Sequence, residues 1–236
     1  LLCACSSSPQ LPASGTAHLY TDSGGQPRSF WIHIPAPPAA TPRPLLIVLH
    51  GTDSSGETML ARGHFVEHAN AEHTIVVAPD ALGHAFNDGS GRIGATLMAT
   101  DDVAFLDRLV AVVRSQLAID AVFVTGFDSG AAMAQRFALE SQATISGVAA
   151  VAGHVWPPLI ERARATNRSL SVLLLFGNDD PQNPRDGGTV DYGNGLVLTT
   201  PSPLATASAF AQLLQCTTQL GATATIIQST SWHACR

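Results

Sequence analysis

One stretch, residues 122–134 (VFVTGFDSGAAMA), constrains the fold of this chain more than any other. Its first residues are apolar or β-branched, as in a buried strand, and the alanine-rich end favours a helix. Between them lies a Gly-x-x-x-Gly turn, from Gly126 to Gly130, with Asp128 at its centre. A strand that enters a helix through so short a turn predicts an α/β arrangement that presents Asp128 at the turn.

The composition excludes several classes of protein. The 236 residues fit one α/β domain, and a chain with 45% hydrophobic and 13% charged residues is not intrinsically disordered. A net charge of −6 without a basic run argues against a nucleic-acid partner. No apolar run is long enough to span a membrane. No P-loop or CxxC pattern occurs, and we predict no cofactor and no bound metal.

Short apolar runs alternate with helical patterns along the chain. Strands are predicted at residues 17–21, 28–34, 45–49, 74–78, 121–125, 145–152, 170–176 and 222–228. Helices are predicted at residues 57–73, 101–118, 130–140 and 203–215. This alternation predicts a mostly parallel central sheet with helices on both faces, in one domain over residues 17–236.

The turn around Asp128 resembles the nucleophile elbow of α/β-hydrolases, whose G-x-S-x-G motif holds a nucleophile on a strained turn. Two backbone N–H groups stabilise the developing oxyanion in such a site. One belongs to the residue after the nucleophile, here Ser129. The other lies in the loop after an early strand, which makes Thr52 the second predicted oxyanion donor.

The remaining site residues follow from the same arrangement. The acid of a catalytic triad follows a later strand, and we predict Asp180 for this role, with Asp179 as the second candidate. The predicted substrate-binding residues lie next to these groups: His50, Gly51, Phe127 and His154.

An ordered set of motifs resembles the secreted polyhydroxybutyrate depolymerase and feruloyl esterase-like family of α/β-hydrolases. The matching stretches are residues 28–35, 49–51, 76–80, 86–89, 101–106, 124–134, 151–153, 176–181 and 186–188. The resemblance implies a carboxylic ester hydrolase with a Ser, Asp and His triad and an ester substrate, small or polymeric. It places the acid at Asp180 and the nucleophile at position 128, and it implies that Cys216 pairs with Cys235.

The chain departs from this family in two ways. The family has serine where this chain has Asp128. In addition, its catalytic histidine follows a Trp-x-x-Cys segment like residues 232–235, so we expect that histidine beyond Arg236 and this sequence to be a piece of a longer chain. His154 and His233 are not expected to replace it.

Asp128 leaves three functions open. The first is an esterase-family hydrolase whose activity this residue lowers. In the second, Asp128 is itself the nucleophile, as in haloalkane dehalogenases and epoxide hydrolases, which also carry Asp at the elbow. In the third, the protein binds a ligand without turnover, because a carboxylate at a helix N-terminus is stable without any reaction.

Two further patterns bear on location and metal binding. Residues 1–8 (LLCACSSS) resemble a bacterial lipobox with a lipid anchor at Cys5, and residues 1–16 then form a signal remnant and tether. We therefore expect a secreted or cell-envelope lipoprotein, monomeric, in which Cys216 and Cys235 can form a disulfide.

His64, Glu67 and His68 match a zinc-binding H-x-x-E-H pattern, with Glu140 at a plausible distance for a third ligand. Chance matches to so short a motif are common, however.

Overall fold

A computed structural model describes residues 8–37, 41–91, 99–163, 169–193, 195–223, 228–233 and 235 of the chain. Residues 1–7 of the predicted lipobox, including Cys5, and Arg236 lie outside the described residues. Within the described part, no helix is long and apolar enough to cross a membrane.

A seven-stranded sheet forms the centre of the molecule. Its strands are β1 (Gly15–Ser23), β2 (Gln26–Ile34), β3 (Arg43–Leu49), β4 (Ile75–Pro79), β5 (Ile119–Phe127), β6 (Gly147–Val151) and β7 (Ser171–Leu175). The spatial order is β1-β2-β4-β3-β5-β6-β7. β4, β3, β5, β6 and β7 are parallel, whereas β1 and β2 add to one edge by antiparallel pairing. The predicted mostly parallel sheet is confirmed.

Helices pack on both faces of the sheet. They are α1 (Gly56–Arg62), α2 (Phe65–Glu72), α3 (Asp102–Arg114), α4 (Ser129–Glu140), α5 (Pro157–Ala163) and α6 (Pro203–Leu213), with a 3₁₀ turn at Leu82–His84. Successive residues of a strand point to opposite faces. On β3, Val48 therefore joins the cluster under α1 and α2, while Ile47 joins the larger cluster under α3 and α4.

Two hairpins lie outside the central sheet. β8 (Gly188–Asp191) pairs with β9 (Val197–Thr200), and β10 (Thr218–Thr223) pairs with β11 (Gln228–His233). A disulfide joins Cys216 to Cys235, as the resemblance implied. Most of the strand predicted at residues 222–228 lies outside the described residues, and its ends belong to two different strands of the second hairpin.

The helix predicted over residues 57–73 is in fact two helices, α1 and α2. Gly63 ends α1, and His64 follows in the left-handed conformation with φ 50°. A residue in that conformation cannot continue a right-handed helix. The prediction of a single helix over residues 57–73 did not foresee this break. The break also places His64 outside the helix that carries His68.

Candidate active site

The candidate site lies where several parallel strands end. β3, β5, β6 and β7 run in the same direction, so their carboxyl ends meet at one edge of the sheet, where open α/β sheets bind ligands. The residues that follow these strands include Thr52, Asp128, His154 and Asp180. The fold thus brings the predicted site residues to a common edge.

Asp128 has the strained backbone expected of an elbow. Its φ of 54° and ψ of −123° are unusual for a residue with a side chain. Its N–H donates to the carbonyl of Val151 at 3.0 Å, and its own carbonyl accepts from the N–H groups of Ala131 and Ala132 at 3.0 and 3.2 Å. Such strain persists only where the surroundings hold it, and here β6 and the first turn of α4 do so.

The two glycines of the turn permit close packing. A Cβ on Gly126 would lie 2.2 Å from the carbonyl oxygen of Gly130, and a Cβ on Gly130 would lie 2.4 Å from that of Leu49. Both distances are far shorter than van der Waals contact. The Gly-x-x-x-Gly spacing therefore lets α4 start directly against β3 and β5.

The predicted oxyanion loop meets Asp128 directly. The Thr52 N–H donates to Asp128 Oδ2 at 3.0 Å, and the Thr52 hydroxyl donates to Ser129 Oγ at 3.0 Å. In the described parts of the chain, Thr52 is the only hydrogen-bond partner of the Asp128 side chain. Ser129 is only 4% exposed. One carboxylate oxygen of Asp128 thus occupies the position at which Thr52 aims its N–H.

Asp180 sits in a compact turn after β7. Its carboxylate accepts the backbone N–H groups of Gln182 and Asn183 and the Asn183 side-chain amide, at 2.8, 3.1 and 2.9 Å. Burial raises the pKa of Asp180, but these hydrogen bonds and the charge of His154 outweigh burial and hold that pKa below its ordinary value. Asp180 is therefore ionised at neutral pH, as a triad acid must be.

His154 lies close to this acid but is buried. It is 6% exposed, its Nδ1 lies 3.1 Å from Thr206 Oγ1, and its ring stacks on Phe176 at 4.5 Å between centroids. It also lines, with Trp156, a small cavity of about 20 Å³ beside the β8–β9 hairpin. In the described residues, no histidine side chain hydrogen-bonds to Asp128 or Asp180.

The other predicted substrate-binding residues divide into exposed and buried groups. Phe127, next to Asp128, is 51% exposed at the end of β5. Gly51 lies against Asp128, because a Cβ there would meet Asp128 Oδ2 at 3.1 Å. His50 is 1% exposed, and its ring bonds to the backbone. The structure therefore places His50 behind the oxyanion loop, out of reach of a substrate.

The zinc pattern does not assemble a site in the described residues, where no group of three His, Cys, Asp or Glu side chains is placed to hold a metal. Glu140 instead pairs with Arg136 and Arg162 at 2.7 and 2.6 Å. Burial raises the Glu140 pKa, but the hydrogen bonds and charges of these two arginines lower it overall.

Two supporting side chains were not predicted from the sequence. Asn183 donates to the Ala152 carbonyl at 3.0 Å as well as to Asp180, and so ties the acid loop to the residues after β6. Gln135 of α4 donates to the Gly153 carbonyl at 2.8 Å. No pattern in the sequence signals either contact, since each bridges segments that meet only in the fold.

Comparisons with known proteins agree with this fold. Residues 46–235 match the model of the alpha/beta hydrolase family. "Putative esterase NocK" of Nocardia uniformis subsp. tsuyamanensis is 31% identical over 170 residues, 69% of this chain and 48% of that protein. "Probable feruloyl esterase C" of Aspergillus niger is 29% identical over 116 residues, 48% of this chain and 38% of that protein.

A solved structure shares the fold. S-formylglutathione hydrolase (FrmB) from Staphylococcus aureus matches with a TM-score of 0.53 at 16% identity, over 70% of this chain and 80% of that one. The chain belongs to the alpha/beta hydrolase family. It spans about half the length, or less, of the two curated relatives.

Proposed function

We propose that this site is that of an exported carboxylic ester hydrolase of the polyhydroxybutyrate depolymerase or feruloyl esterase type, with turnover held low by Asp128. The observation that carries the proposal is the Thr52 N–H, which points at the side chain of residue 128 from 3.0 Å. A donor at that place stabilises the oxyanion that forms when an ester carbonyl is attacked from residue 128. The esterase relatives support the choice of substrate class.

The chemistry of a carboxylate explains the low turnover. A serine at position 128 attacks the ester carbonyl, and the tetrahedral intermediate expels the alcohol to leave a stable acyl-enzyme. When the Asp128 carboxylate attacks instead, the intermediate expels the carboxylate again, because it is a much better leaving group than an alkoxide. The ester is regenerated, so little product forms.

Restoring the serine tests the proposal. In the full-length protein, Asp128→Ser should hydrolyse p-nitrophenyl acetate and butyrate about 100-fold faster or more than wild type, because the nucleophile is the largest single catalytic contribution. Asp128→Asn is the matched control, since it removes the charge without adding a hydroxyl and should stay inactive. A folded Asp128→Ser protein that is no faster than Asp128→Asn would contradict an ester hydrolase site.

One observation favours a second candidate, in which Asp128 is the nucleophile. Thr52 binds only Oδ2, and Oδ1 has no hydrogen-bond partner in the described residues. Oδ1 can displace a halide, or open an epoxide, at a saturated carbon and form an alkyl ester. Water then adds to the Asp128 carbonyl carbon, Thr52 stabilises the oxyanion on Oδ2, and the alcohol leaves.

Mass spectrometry separates the two candidates. A carboxylate nucleophile predicts that wild-type protein incubated with 1-bromobutane or an alkyl epoxide gains the mass of one alkyl group, localised to Asp128 by peptide mapping. Asp128→Asn should gain none. Unmodified wild-type protein after prolonged incubation, without alcohol release, excludes this second candidate.

Export is part of the proposal. The Cys216–Cys235 disulfide supports it, because such bonds persist in oxidising compartments. A lipid anchor at Cys5 predicts that the protein expressed with its natural leader incorporates labelled fatty acid, and that Cys5→Ser does not. Absence of label in the wild type would reject the anchor.

A further inference from the structure

His50 connects two loops through both of its ring nitrogens. Its Nδ1 lies 2.7 Å from the Gly51 carbonyl oxygen, and its Nε2 lies 3.1 Å from the backbone nitrogen of Ala81, in the loop after β4. The ring is 1% exposed and packs against Phe86 at 4.9 Å between centroids. Neither nitrogen is left to contact a substrate.

The partners determine the protonation of the ring. A backbone N–H can only donate, so Nε2 must accept from Ala81 and carries no proton. A carbonyl oxygen can only accept, so Nδ1 must carry the proton and donate to Gly51. Only the neutral ring with its proton on Nδ1 satisfies both neighbours.

The electrostatic surroundings agree with a neutral ring. Burial lowers the pKa of His50, and it outweighs the opposing effects of the Gly51 hydrogen bond and of the charges of Asp80 and Asp102. Asp80 is itself held by the Gly56 N–H at 2.8 Å and the Ser29 hydroxyl at 2.8 Å.

The Gly51 carbonyl that His50 holds belongs to the same peptide bond as the Thr52 N–H. A peptide bond is planar, and in the trans form its C=O and N–H point in opposite directions. Holding the Gly51 oxygen therefore fixes the direction of the Thr52 N–H, which ends 3.0 Å from Asp128 Oδ2.

We infer that His50 is a positioning residue: in its neutral form it orients the Gly51–Thr52 peptide so that Thr52 N–H serves as the oxyanion donor. The inference rests on the proposed ester hydrolase site. It assigns His50 neither a contact with substrate nor a proton-transfer step. It differs from the substrate-binding role that the sequence suggested for this residue.

Two matched variants distinguish the roles of the two ring nitrogens. In His50→Asn the side-chain amide can still donate near the position of Nδ1, whereas in His50→Gln the longer side chain reaches the position of Nε2 and loses the donor to Gly51. His33→Gln is the control. His33, on β2, is also buried, at 6% exposure, and both of its ring nitrogens are also hydrogen-bonded, to Thr16 and Asn70.

Kinetics in the Asp128→Ser background give the first test. His50→Gln should lower kcat by about 10- to 100-fold, up to the loss seen when an oxyanion donor is removed, with KM nearly unchanged. His50→Asn should retain most of kcat, and His33→Gln should not lower it. Equal losses in His50→Asn and His50→Gln, or an equal loss in His33→Gln, would overturn the positioning role.

Spectroscopy of the wild-type chain gives a second test that needs no activity. Long-range ¹⁵N–¹H spectra at neutral pH should show His50 protonated at Nδ1 only, and hydrogen exchange at the Thr52 amide should be faster in His50→Gln than in His33→Gln. A proton on Nε2, or equal exchange in the two variants, would refute the inference. If Asp128→Ser is inactive, the proposed function fails, and these spectra alone decide the role of His50.

Discussion

The two sides of the candidate site are built differently. On the donor side, defined here as residues 50–52, residues 128–130, the loop of residues 80–87 and the Arg28–Asp102 pair, contacts join segments that are distant in sequence. Thr52 itself is exposed, but His50, Ser129 and Asp102 are buried. On the acid side, the loop after β7 that carries Asp180, the carboxylate is partly exposed and held mainly by a turn within its own loop. The donor side is therefore determined by the whole fold, and the acid side mostly by a few neighbouring residues.

This difference has a functional meaning. An oxyanion site works because its donors are held in place before charge develops. The donor side meets that requirement, because contacts between distant segments hold it. The acid of a triad only has to orient and stabilise a histidine. A local turn tied to β6 through Asn183 is sufficient for that task.

The largest expected effect comes from removing a buried charge on the donor side. Asp102 pairs with Arg28 at 2.7 Å and accepts the Asn87 N–H at 2.6 Å, with both side chains almost fully buried. Asp102→Asn should lower the free energy of unfolding by about 3–5 kcal/mol, since it leaves Arg28 buried without its counter-charge. Urea denaturation measures this. A loss as small as that of Asp180→Asn would show that the two sides do not differ.

Adding a methyl group to a glycine compares the packing of the two sides. Gly130→Ala should cost about 3 kcal/mol, because its Cβ would overlap the backbone of β3. Gly177→Ala, on the acid side, should cost less than about 1 kcal/mol, since its Cβ would meet only Asp180 Cβ at 3.8 Å. Similar denaturation midpoints for the two variants would contradict the contrast in packing.

Removing one side-chain hydrogen bond on the donor side should have a smaller effect. Thr52→Val loses the bond from the Thr52 hydroxyl to Ser129 Oγ but keeps the backbone N–H. We expect a loss of about 1 kcal/mol in unfolding free energy, with the Thr52 amide still bonded to Asp128. Thr52→Ser is the control and should be close to wild type. A Thr52→Val variant as stable as wild type would show that this hydrogen bond does not stabilise the folded state.

The smallest expected effect is the pH dependence of the acid side. The folded-state pKa of Asp180 is lowered, so its ionised form stabilises the protein above the ordinary pKa of 3.8, and that contribution disappears as the pH falls through the folded-state pKa. Asp180→Asn should therefore be less stable than wild type at pH 7, by about 0.5–1 kcal/mol. The difference should shrink below about pH 4. A stability difference between wild type and Asp180→Asn that grows as the pH falls would contradict this account.

The sequence predicted the parts of the site that follow from strand ends and turn glycines. The mostly parallel sheet, the elbow at Asp128 and the approach of Thr52 to it follow from apolar runs, the Gly126–Gly130 spacing and the position of each loop after its strand. The Cys216–Cys235 bond was also predicted, from the family resemblance.

Other features depend on contacts between segments that are distant in sequence. The hydrogen bond from Ala81 to His50 joins loops 31 residues apart, and that from Asn183 to Ala152 also spans 31 residues. Neither has a local pattern to predict it. The break at His64 was not predicted, because a residue other than glycine in the left-handed conformation has no reliable sequence pattern.

The central claim is that the Asp128 carboxylate occupies the place to which Thr52 aims its N–H. The most direct test is to compare backbone ¹H–¹⁵N spectra of wild type and Asp128→Ala. The account predicts that the Thr52 amide proton moves upfield and exchanges faster in Asp128→Ala, while the Gln182 amide, bonded to Asp180, stays unchanged. An unchanged Thr52 amide would contradict the account.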